Sequence, residues 1–188
     1  MEDLLLELTS GDDERAEAAA SSVGAIGIDA LSIVGPLLHS SEADFRWWAV
    51  RALAEIPAEE SASLLIQALN DPYLAVRQCA ALGLSRQPDE RAVPVLVEAM
   101  ASDDALLARL AANALEAIGA AAVSALLDLL ESGPQPVRLE AARTLAMIGD
   151  TRAIPALFYA LDEDSALMEY WANEGLERMG VGMMFFKP

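Results

Sequence analysis

Apolar residues recur along the chain at the spacing of an amphipathic helix, and the segments that carry them come in pairs. Residues 61–72, 92–104 and 153–164 each place apolar side chains at positions i, i+3, i+4 and i+7. A second apolar segment completes each unit, and these second segments end near residues 27, 57, 88, 119, 149 and 180, at intervals of 30 or 31 residues. This regularity predicts an all-α chain of six helix pairs.

Glycine and proline mark the predicted ends of these helices. Asp71 followed by Pro72 suits the N-cap and first turn of a helix. Because one helix pair of this length cannot bury its apolar face alone, successive pairs must stack. We therefore predict a single α-α superhelix over residues 1–180, followed by an apolar tail at residues 181–188. The glycines expected in the left-handed position after a second helix are Gly27, Gly119, Gly149 and Gly180.

The second segments share a motif that resembles a known repeat family. Residues 75–89 read AVRQCAALGLSRQPD and residues 136–150 read PVRLEAARTLAMIGD, and both follow one pattern, close to VRxxAAxxLxxIGD. This unit is similar to the HEAT-like repeats of the phycobilisome-lyase type, and the resemblance extends over essentially the whole chain. The motif consists of core and turn residues, so it is specific for fold and uninformative about function. Three repeats depart from it, with Ala108 or Glu169 at the arginine position and Arg15 one position early.

A helical projection separates the buried from the exposed positions of the second helices. With the motif arginine as position zero, positions −1, +3, +7 and +10 turn inward and positions +1, +5 and +8 outward, with +2 on the flank. The resemblance implies that second helices line a concave groove, so outward residues face a partner. Aromatic residues and arginines dominate interface energies, and we predict that those at these positions bind a partner. They are Trp47, Trp48, Arg51, Arg109, Arg143, Tyr170 and Trp171.

Some of these side chains have a structural alternative. The alternative is that the indoles fill gaps between neighbouring layers of helices, a role that suits Trp48 and Trp171 better than Trp47. The arginines at position zero are interpreted as structural, because an arginine there can reach the carboxylate of a neighbouring turn. These arginines are Arg46, Arg77 and Arg138, and the carboxylates include Asp71 and Asp104.

The composition is strongly acidic, which narrows the classes of partner. Twelve basic and 30 acidic residues give a net charge of −18 at pH 7, which repels phosphate backbones and excludes nucleic acid as the expected partner. Cys79 is the only cysteine, so no internal disulfide forms, and we interpret it as a packing residue. No uncharged apolar run approaches the ~18 residues of a membrane span, and no leader pattern opens the chain. We expect a cytoplasmic protein without a transmembrane segment.

The sequence contains no pattern that indicates catalysis, a metal or a cofactor. The single histidine, His39, has no serine or cysteine partner nearby in sequence, and no phosphate loop, zinc-ligand spacing or nucleophile elbow is visible. Acidic clusters at residues 11–14, 102–105 and 162–165 fall between paired helices, where carboxylates accept hydrogen bonds from backbone N–H groups. We interpret these clusters as helix caps, with a cation site as the alternative.

The end of the chain is more apolar than the terminal cap of a repeat array usually is. Two alternatives follow. The tail folds back over the sixth repeat as a lid, or it docks into a partner or a second copy of the chain, which would give a dimer. The apolar residues concerned are Met183, Met184, Phe185 and Phe186.

Two functions are compatible with these patterns. The leading hypothesis is a non-catalytic interaction scaffold or assembly factor that binds a protein partner in the groove and needs no cofactor. The alternative, which the family resemblance implies, is a bilin lyase or lyase-like subunit that presents an open-chain tetrapyrrole to a phycobiliprotein cysteine. The two propionates of a bilin would seek arginine, and its rings would seek tryptophan and tyrosine faces.

Overall fold

The computed structural model describes residues 2–162 and 165–181, and these residues form α-helices and short 3-10 turns without a strand. Six first helices of 7 to 10 residues alternate with six second helices of 11 to 14 residues. The first helices are α1 (Glu2–Leu8), α3 (Leu31–Leu37), α5 (Glu59–Ala68), α7 (Val93–Met100), α9 (Val123–Ser132) and α11 (Ile154–Ala160). The second helices are α2 (Asp13–Ile26), α4 (Ala43–Leu53), α6 (Leu74–Arg86), α8 (Ala105–Ile118), α10 (Gln135–Ile148) and α12 (Ala166–Arg178). The predicted six helix pairs are confirmed.

Two compact units divide the chain, residues 1–95 and residues 96–188, and the division falls within α7. In the first unit α2 packs on α4 and α4 packs on α6, while α1, α3 and α5 each contact the second helix of their own pair. In the second unit α10 packs against α8, α9 and α12, and α11 packs on α12. Each unit therefore places its second helices side by side. One continuous superhelix over residues 1–180 stays a prediction.

Leucine and alanine fill the core of each unit, at the positions that the helical projection predicts. In α6 the inward residues Val76, Ala80 and Leu84 are 0% exposed, whereas Gln87 at position +10 is only partly buried. The equivalent residues of α10 at −1, +3 and +7 are likewise buried. Because alanine is small, the backbones of packed helices can approach closely. The largest fully buried leucines include Leu53, Leu65, Leu84, Leu115, Leu126, Leu145 and Leu157.

Gly175 lies at a close helix contact in the second unit. A Cβ atom there would lie 2.7 Å from Leu157 Cδ1 and 3.0 Å from Ala146 Cα. We expect Gly175→Ala to lower the free energy of unfolding by about 1 kcal/mol, because overpacking costs about 1–3 kcal/mol and helix propensity returns about 1 kcal/mol. Urea unfolding measures this change. A Cβ atom at Gly83 would meet chiefly the movable methyl groups of Leu65, so Gly83→Ala should lower the free energy of unfolding by less. A Gly175→Ala protein more stable than the wild type would contradict the close packing.

The four glycines predicted to end second helices all have positive φ, between 68° and 79°. Gly149 also has the ψ of the left-handed helical region, 26°. Gly27 and Gly119 have ψ angles of −144° and −128° instead, and the chain enters a 3-10 turn directly. The predicted left-handed position is therefore confirmed at Gly149, whereas Gly27 and Gly119 have a different positive-φ geometry.

The predicted N-cap at Asp71 is wrong. α6 begins three residues later, at Leu74, with Tyr73 as the N-cap residue. The Asp71 carboxylate accepts a hydrogen bond from the Tyr73 backbone N–H at 2.8 Å and two from the Arg46 guanidinium at 2.7 and 3.0 Å. Because the carboxylate is held by the arginine of the preceding repeat, it closes the turn before the helix and does not cap the helix itself.

The acidic clusters between paired helices act as caps where the structure describes them. Asp12 and Asp104 each accept a hydrogen bond from the backbone N–H three residues on, at 3.1 and 2.7 Å. In the third cluster the Ser165 hydroxyl accepts a hydrogen bond from the Met168 backbone N–H at 3.4 Å. Residues 163–164 of that cluster lie outside the described residues. Within the ranges 2–162 and 165–181, no three His, Cys, Asp or Glu side chains are placed to hold a metal ion.

Two helical stretches, Asp13–Leu37 and Ala105–Ser132, have the length and composition of a membrane-crossing helix. Each consists of two helices joined by a 3-10 turn at a glycine with positive φ, Gly27 or Gly119. Core helices of water-soluble folds meet the same criterion, so these stretches do not show a membrane span.

The predicted apolar tail lies outside the described part of the chain from residue 182 onward. Its two alternatives, a lid or a docking segment, stay predictions.

Candidate functional site

The seven residues predicted to bind a partner lie on second helices of both units. In the first unit, α4 carries Trp47, Trp48 and Arg51. In the second unit, α8 carries Arg109, α10 carries Arg143, and α12 carries Tyr170 and Trp171. Arg109 and Tyr170 are exposed, Arg143 is buried, and the other four are partly buried. Their role in binding stays a prediction, and the surroundings of each are described next.

An open cleft of about 650 Å³ lies beside the two adjacent tryptophans of the first unit. The indoles of Trp47 and Trp48 contact each other edge to face, with ring centroids 4.6 Å apart and ring planes at 89°. Both line the cleft, so they are not sealed in the core. We call it the aromatic cleft, and its lining residues are Leu8, Gly11, Asp13, Glu17, Asp44, Phe45, Trp47, Trp48 and Ala75.

Three carboxylates give the aromatic cleft its charge. Asp13 and Asp44 lie in the first turns of α2 and α4 and are exposed. Neither forms an ion pair or a side-chain hydrogen bond with any residue that the structure describes. Glu17 differs, because its Oε1 accepts hydrogen bonds from Arg51 Nη2 at 2.6 Å and from Ser21 Oγ at 2.9 Å. Two of the three carboxylates are thus available to a ligand.

Arg51 is held between carboxylates of its own unit. Besides Glu17, it pairs through Nη1 with Glu55, and Glu55 also accepts a hydrogen bond from Arg86 at 2.9 Å. The Arg51 side chain is only 18% exposed. The resulting chain of charges links α2, α4 and α6, so Arg51 stabilises the arrangement of second helices next to the cleft.

A second cleft, of about 470 Å³, lies between the first turns of α8 and α10 in the second unit. Arg109 lines it and pairs with Glu140 at 3.2 Å, with its own side chain 52% exposed. We call it the proline cleft, and its lining residues are Met100, Ala101, Ser102, Asp103, Ala105, Ala108, Arg109, Pro134, Pro136, Val137 and Glu140.

Arg143 is not exposed, contrary to the helical projection. Only 8% of the residue is accessible, and its guanidinium donates to Glu140 at 2.8 Å and to Asn113 at 3.0 Å, with Glu116 at 3.8 Å. The projection treats a helix as isolated, whereas α10 has a second helix packed on each side. The long side chain at position +5 therefore lies along α8 and becomes buried between carboxylates.

Tyr170 and Trp171 repeat the arrangement of the tryptophan pair at α12. Their rings contact edge to face, with centroids 5.0 Å apart and planes at 77°. Tyr170 is 55% exposed and Trp171 is partly buried. The phenol is therefore the accessible member of this pair.

The position-zero arginines form structural contacts, as predicted. Arg46 pairs with the Asp71 carboxylate, and its side chain and that of Asp71 are 12% and 9% exposed. Arg77 donates to the backbone carbonyls of Asp71 and Pro72 at 2.8 and 3.2 Å, and Arg138 donates to the carbonyl of Leu130 at 2.8 Å. These contacts tie second helices to neighbouring turns and helix ends, and Arg77 contacts two carbonyl groups where a carboxylate was expected.

Cys79 is buried, which agrees with its interpretation as a packing residue. Burial raises the pKa of its thiol to about 12. Since almost no thiolate exists at pH 8, we expect the native protein to resist a thiol reagent such as 5,5′-dithiobis(2-nitrobenzoic acid) and to react within minutes after denaturation. Absorbance of the released thiolate measures this. Equal rates before and after denaturation would show that the thiol is accessible.

The helical projection missed six of the nine residues that line the aromatic cleft, among them both free carboxylates and a phenylalanine. Asp13, Asp44 and Phe45 lie in the first turns of their helices, whereas binding residues were predicted only at positions +1, +2 and +5. The signal was present, because Asp44 and Phe45 directly precede the motif arginine and the two tryptophans. First turns matter because the cleft opens at the N-terminal ends of α2 and α4.

Comparisons with known proteins agree with this architecture. A family model of HEAT repeats matches residues 1–74, 31–116 and 104–177. No curated protein matches the chain. Among solved structures, an engineered protein is similar at 25% identity and a TM-score of 0.57, with 96% of each chain covered.

Two further structures share the fold. A designed armadillo repeat protein in complex with the peptide (KR)4 is 20% identical, with a TM-score of 0.59 and coverage of 94% of this chain and 98% of that one. The complex of CpcE and CpcF of phycocyanin lyase from Nostoc sp. PCC7120 is 23% identical, with a TM-score of 0.58 and coverage of 95% and 76%. With the family match extending over most of its length, the chain belongs to the HEAT repeat family.

Proposed function

We propose that the chain is a non-catalytic interaction scaffold that binds a protein partner through the second-helix face of its repeats, as HEAT-repeat folds do. The observation that carries the proposal is the aromatic cleft, where two adjacent, partly buried indoles line an open surface. Tryptophan is prominent among the residues that supply most of the binding energy at protein interfaces. Trp47 and Trp48 are the anchors in this proposal, with Tyr170 and Trp171 as a second contact.

The arginines have a supporting role in the proposal. Arg51 and Arg143 are each held by two glutamates of their own unit, so a partner carboxylate would have to displace a bond that already exists. Arg109 is more than half exposed and has a single glutamate partner, so it remains able to bind a partner. We assign Arg51 and Arg143 to holding the face in shape.

Capture of a partner from lysate by the tagged full chain tests the proposal. Trp47→Ala combined with Arg51→Ala should abolish capture, because the change removes an anchor and the ion pair that joins α4 to α2 beside it. The matched control is Tyr159→Ala, which removes an aromatic residue that is 79% exposed on a first helix, α11. Undiminished capture by a well-folded Trp47→Ala/Arg51→Ala protein would contradict the proposed role of this face in partner binding.

A bilin lyase subunit is the second candidate, favoured by the similarity to the CpcE–CpcF complex over 95% of the chain. At 23% identity that similarity is one of fold. A bilin also needs cations for its propionates, and here Arg51 and Arg143 are already paired. Co-expression with a bilin and an apo-phycobiliprotein separates the candidates, because an absorbance band that stays with the protein on a denaturing gel would favour the lyase.

A further inference from the structure

We propose that the aromatic cleft binds a lysine- or arginine-rich peptide segment of the protein partner. The inference rests on the proposed function, since it names the chemistry of the segment that the partner inserts. Three features carry it: the free carboxylates of the cleft, the adjacent indoles, and the contrast with the proline cleft of the second unit.

The carboxylates make the cleft complementary to a cation. Asp13 and Asp44 have no partner among the described residues, and Glu17 adds a third acceptor at the wall. The N-termini of α2 and α4 each contribute about half a positive charge, which the two free carboxylates more than offset. Residues 1–95 contain sixteen acidic and six basic residues, so the rest of the unit adds to the negative potential. Such a field attracts a basic segment and repels an acidic one.

The indoles supply what a basic side chain needs besides charge. Their planes are nearly perpendicular, so the pair presents ring faces in two directions. A lysine ammonium or an arginine guanidinium is attracted to the face of an indole, and the guanidinium also stacks on it. Phe45 and Leu8 line the same cleft and offer apolar surface to the aliphatic stem of either side chain.

The proline cleft occupies the same repeat positions in the second unit, but its lining has one free carboxylate, Asp103, and no indole. At the repeat positions of Asp13 and Asp44 it has Ala105 and Pro136. At the position of Glu17 it has Arg109. At the position of Trp48 it has Glu140, whose charge is taken up by Arg109 and Arg143. The preference for a basic segment therefore belongs to the first unit, and the second unit provides an internal control.

Titration of the full chain with a fluorescein-labelled (Lys-Arg)4 octapeptide, followed by fluorescence anisotropy, tests the proposal. We expect saturable binding by the wild type and a loss of about tenfold in affinity for Asp13→Asn/Asp44→Asn. The matched control is Asp103→Asn/Asp128→Asn, which removes two exposed carboxylates from the second unit, and its affinity should stay within about twofold. Because all four positions are exposed, both variants are expected to fold.

The tryptophans give a second readout. Trp47→Ala/Trp48→Ala should weaken peptide binding by about tenfold, and Trp47→Phe/Trp48→Phe by less, because a phenyl ring keeps part of the cation attraction. In a Trp171→Phe background only the cleft indoles emit as tryptophan, so their emission should change when the octapeptide binds.

Three outcomes would overturn the proposal. Equal losses in the two aspartate pairs would mean that the peptide responds only to net charge. Spermine binding as tightly as the octapeptide would identify a small-cation site. Binding of an (Asp-Glu)4 octapeptide with similar affinity would contradict the charge argument.

The lysate experiment keeps this proposal distinct from the proposed function. If Trp47→Ala/Arg51→Ala abolishes partner capture while the wild type fails to bind the basic octapeptide, the proposed interaction face is supported and the proposed basic segment is contradicted. If capture is unchanged and the octapeptide does not bind, the proposed function and the proposed basic segment are both contradicted.

Discussion

Arg46→Ala is expected to lower the free energy of unfolding by about 3 kcal/mol, because it leaves a largely buried carboxylate without its counterion. Asp71 would keep only the hydrogen bond from the Tyr73 backbone N–H. The carbonyls of Ser40 and Ser41, which accept from Arg46 Nη1 at 3.0 and 3.2 Å, would lose a donor as well. Urea unfolding of the full chain measures the loss.

Arg91→Ala is the control for this prediction. Arg91 also forms a close pair with an aspartate, Asp89, at 2.6 Å, but its side chain is 46% exposed. Solvent screens such a pair, so little change in stability is expected. Equal losses for Arg46→Ala and Arg91→Ala would show that burial of the Arg46–Asp71 pair does not matter.

The stability difference between the wild type and Arg46→Ala should also depend on pH. The hydrogen bond from Arg46 holds the pKa of Asp71 below its usual value. A carboxylate with a depressed folded-state pKa contributes stability that is present above its unfolded pKa of about 4 and is lost as pH falls through the folded pKa. The difference should therefore be full at pH 7 and shrink in increasingly acidic solution. A difference that grew on acidification would contradict the assignment.

Arg143→Ala is expected to lower the free energy of unfolding by about 2 kcal/mol, because Glu140 keeps only its pair with Arg109 and the buried stem leaves a gap. Arg143→Met should lower the free energy of unfolding by less, since the methionine side chain fills the space of the arginine stem. Peptide binding in the first unit should be unchanged in both variants. Chemical unfolding and anisotropy titration test the two statements separately, and a folded Arg143→Ala protein of wild-type stability would contradict the structural role.

The repeat architecture could be predicted from the sequence because it depends on local periodicity. Leu84 and Leu145, at the same motif position in two repeats, both lie in a core. The burial of Arg143 could not be predicted in the same way. It depends on Asn113 and Glu116, which lie on the neighbouring second helix about one repeat away, and a single-helix projection does not contain that helix.

Only part of the candidate site could be predicted from the sequence, because the rest depends on contacts between neighbouring helices. The partly exposed position of the tryptophan pair can be predicted from α4 alone, whereas the neutralisation of Arg51 needs Glu17, 34 residues earlier in the chain. The sequence therefore suggested a face with free arginines. The structure places carboxylates against Arg51, Arg109 and Arg143 and leaves Asp13 and Asp44 of the aromatic cleft without a partner among the described residues, so the free charge of the cleft is negative.

Hydroxyl-radical footprinting with mass spectrometry tests the central claim most directly, namely that the indoles of the aromatic cleft are accessible and are covered by a basic partner segment. In the free protein Trp47 and Trp48 should be oxidised much faster than Met100 and Met168, which are each 1% exposed. Addition of the (Lys-Arg)4 octapeptide should protect both tryptophans and leave Tyr159 unchanged. Indoles as unreactive as the two buried methionines, or indoles that the peptide does not protect, would contradict the account.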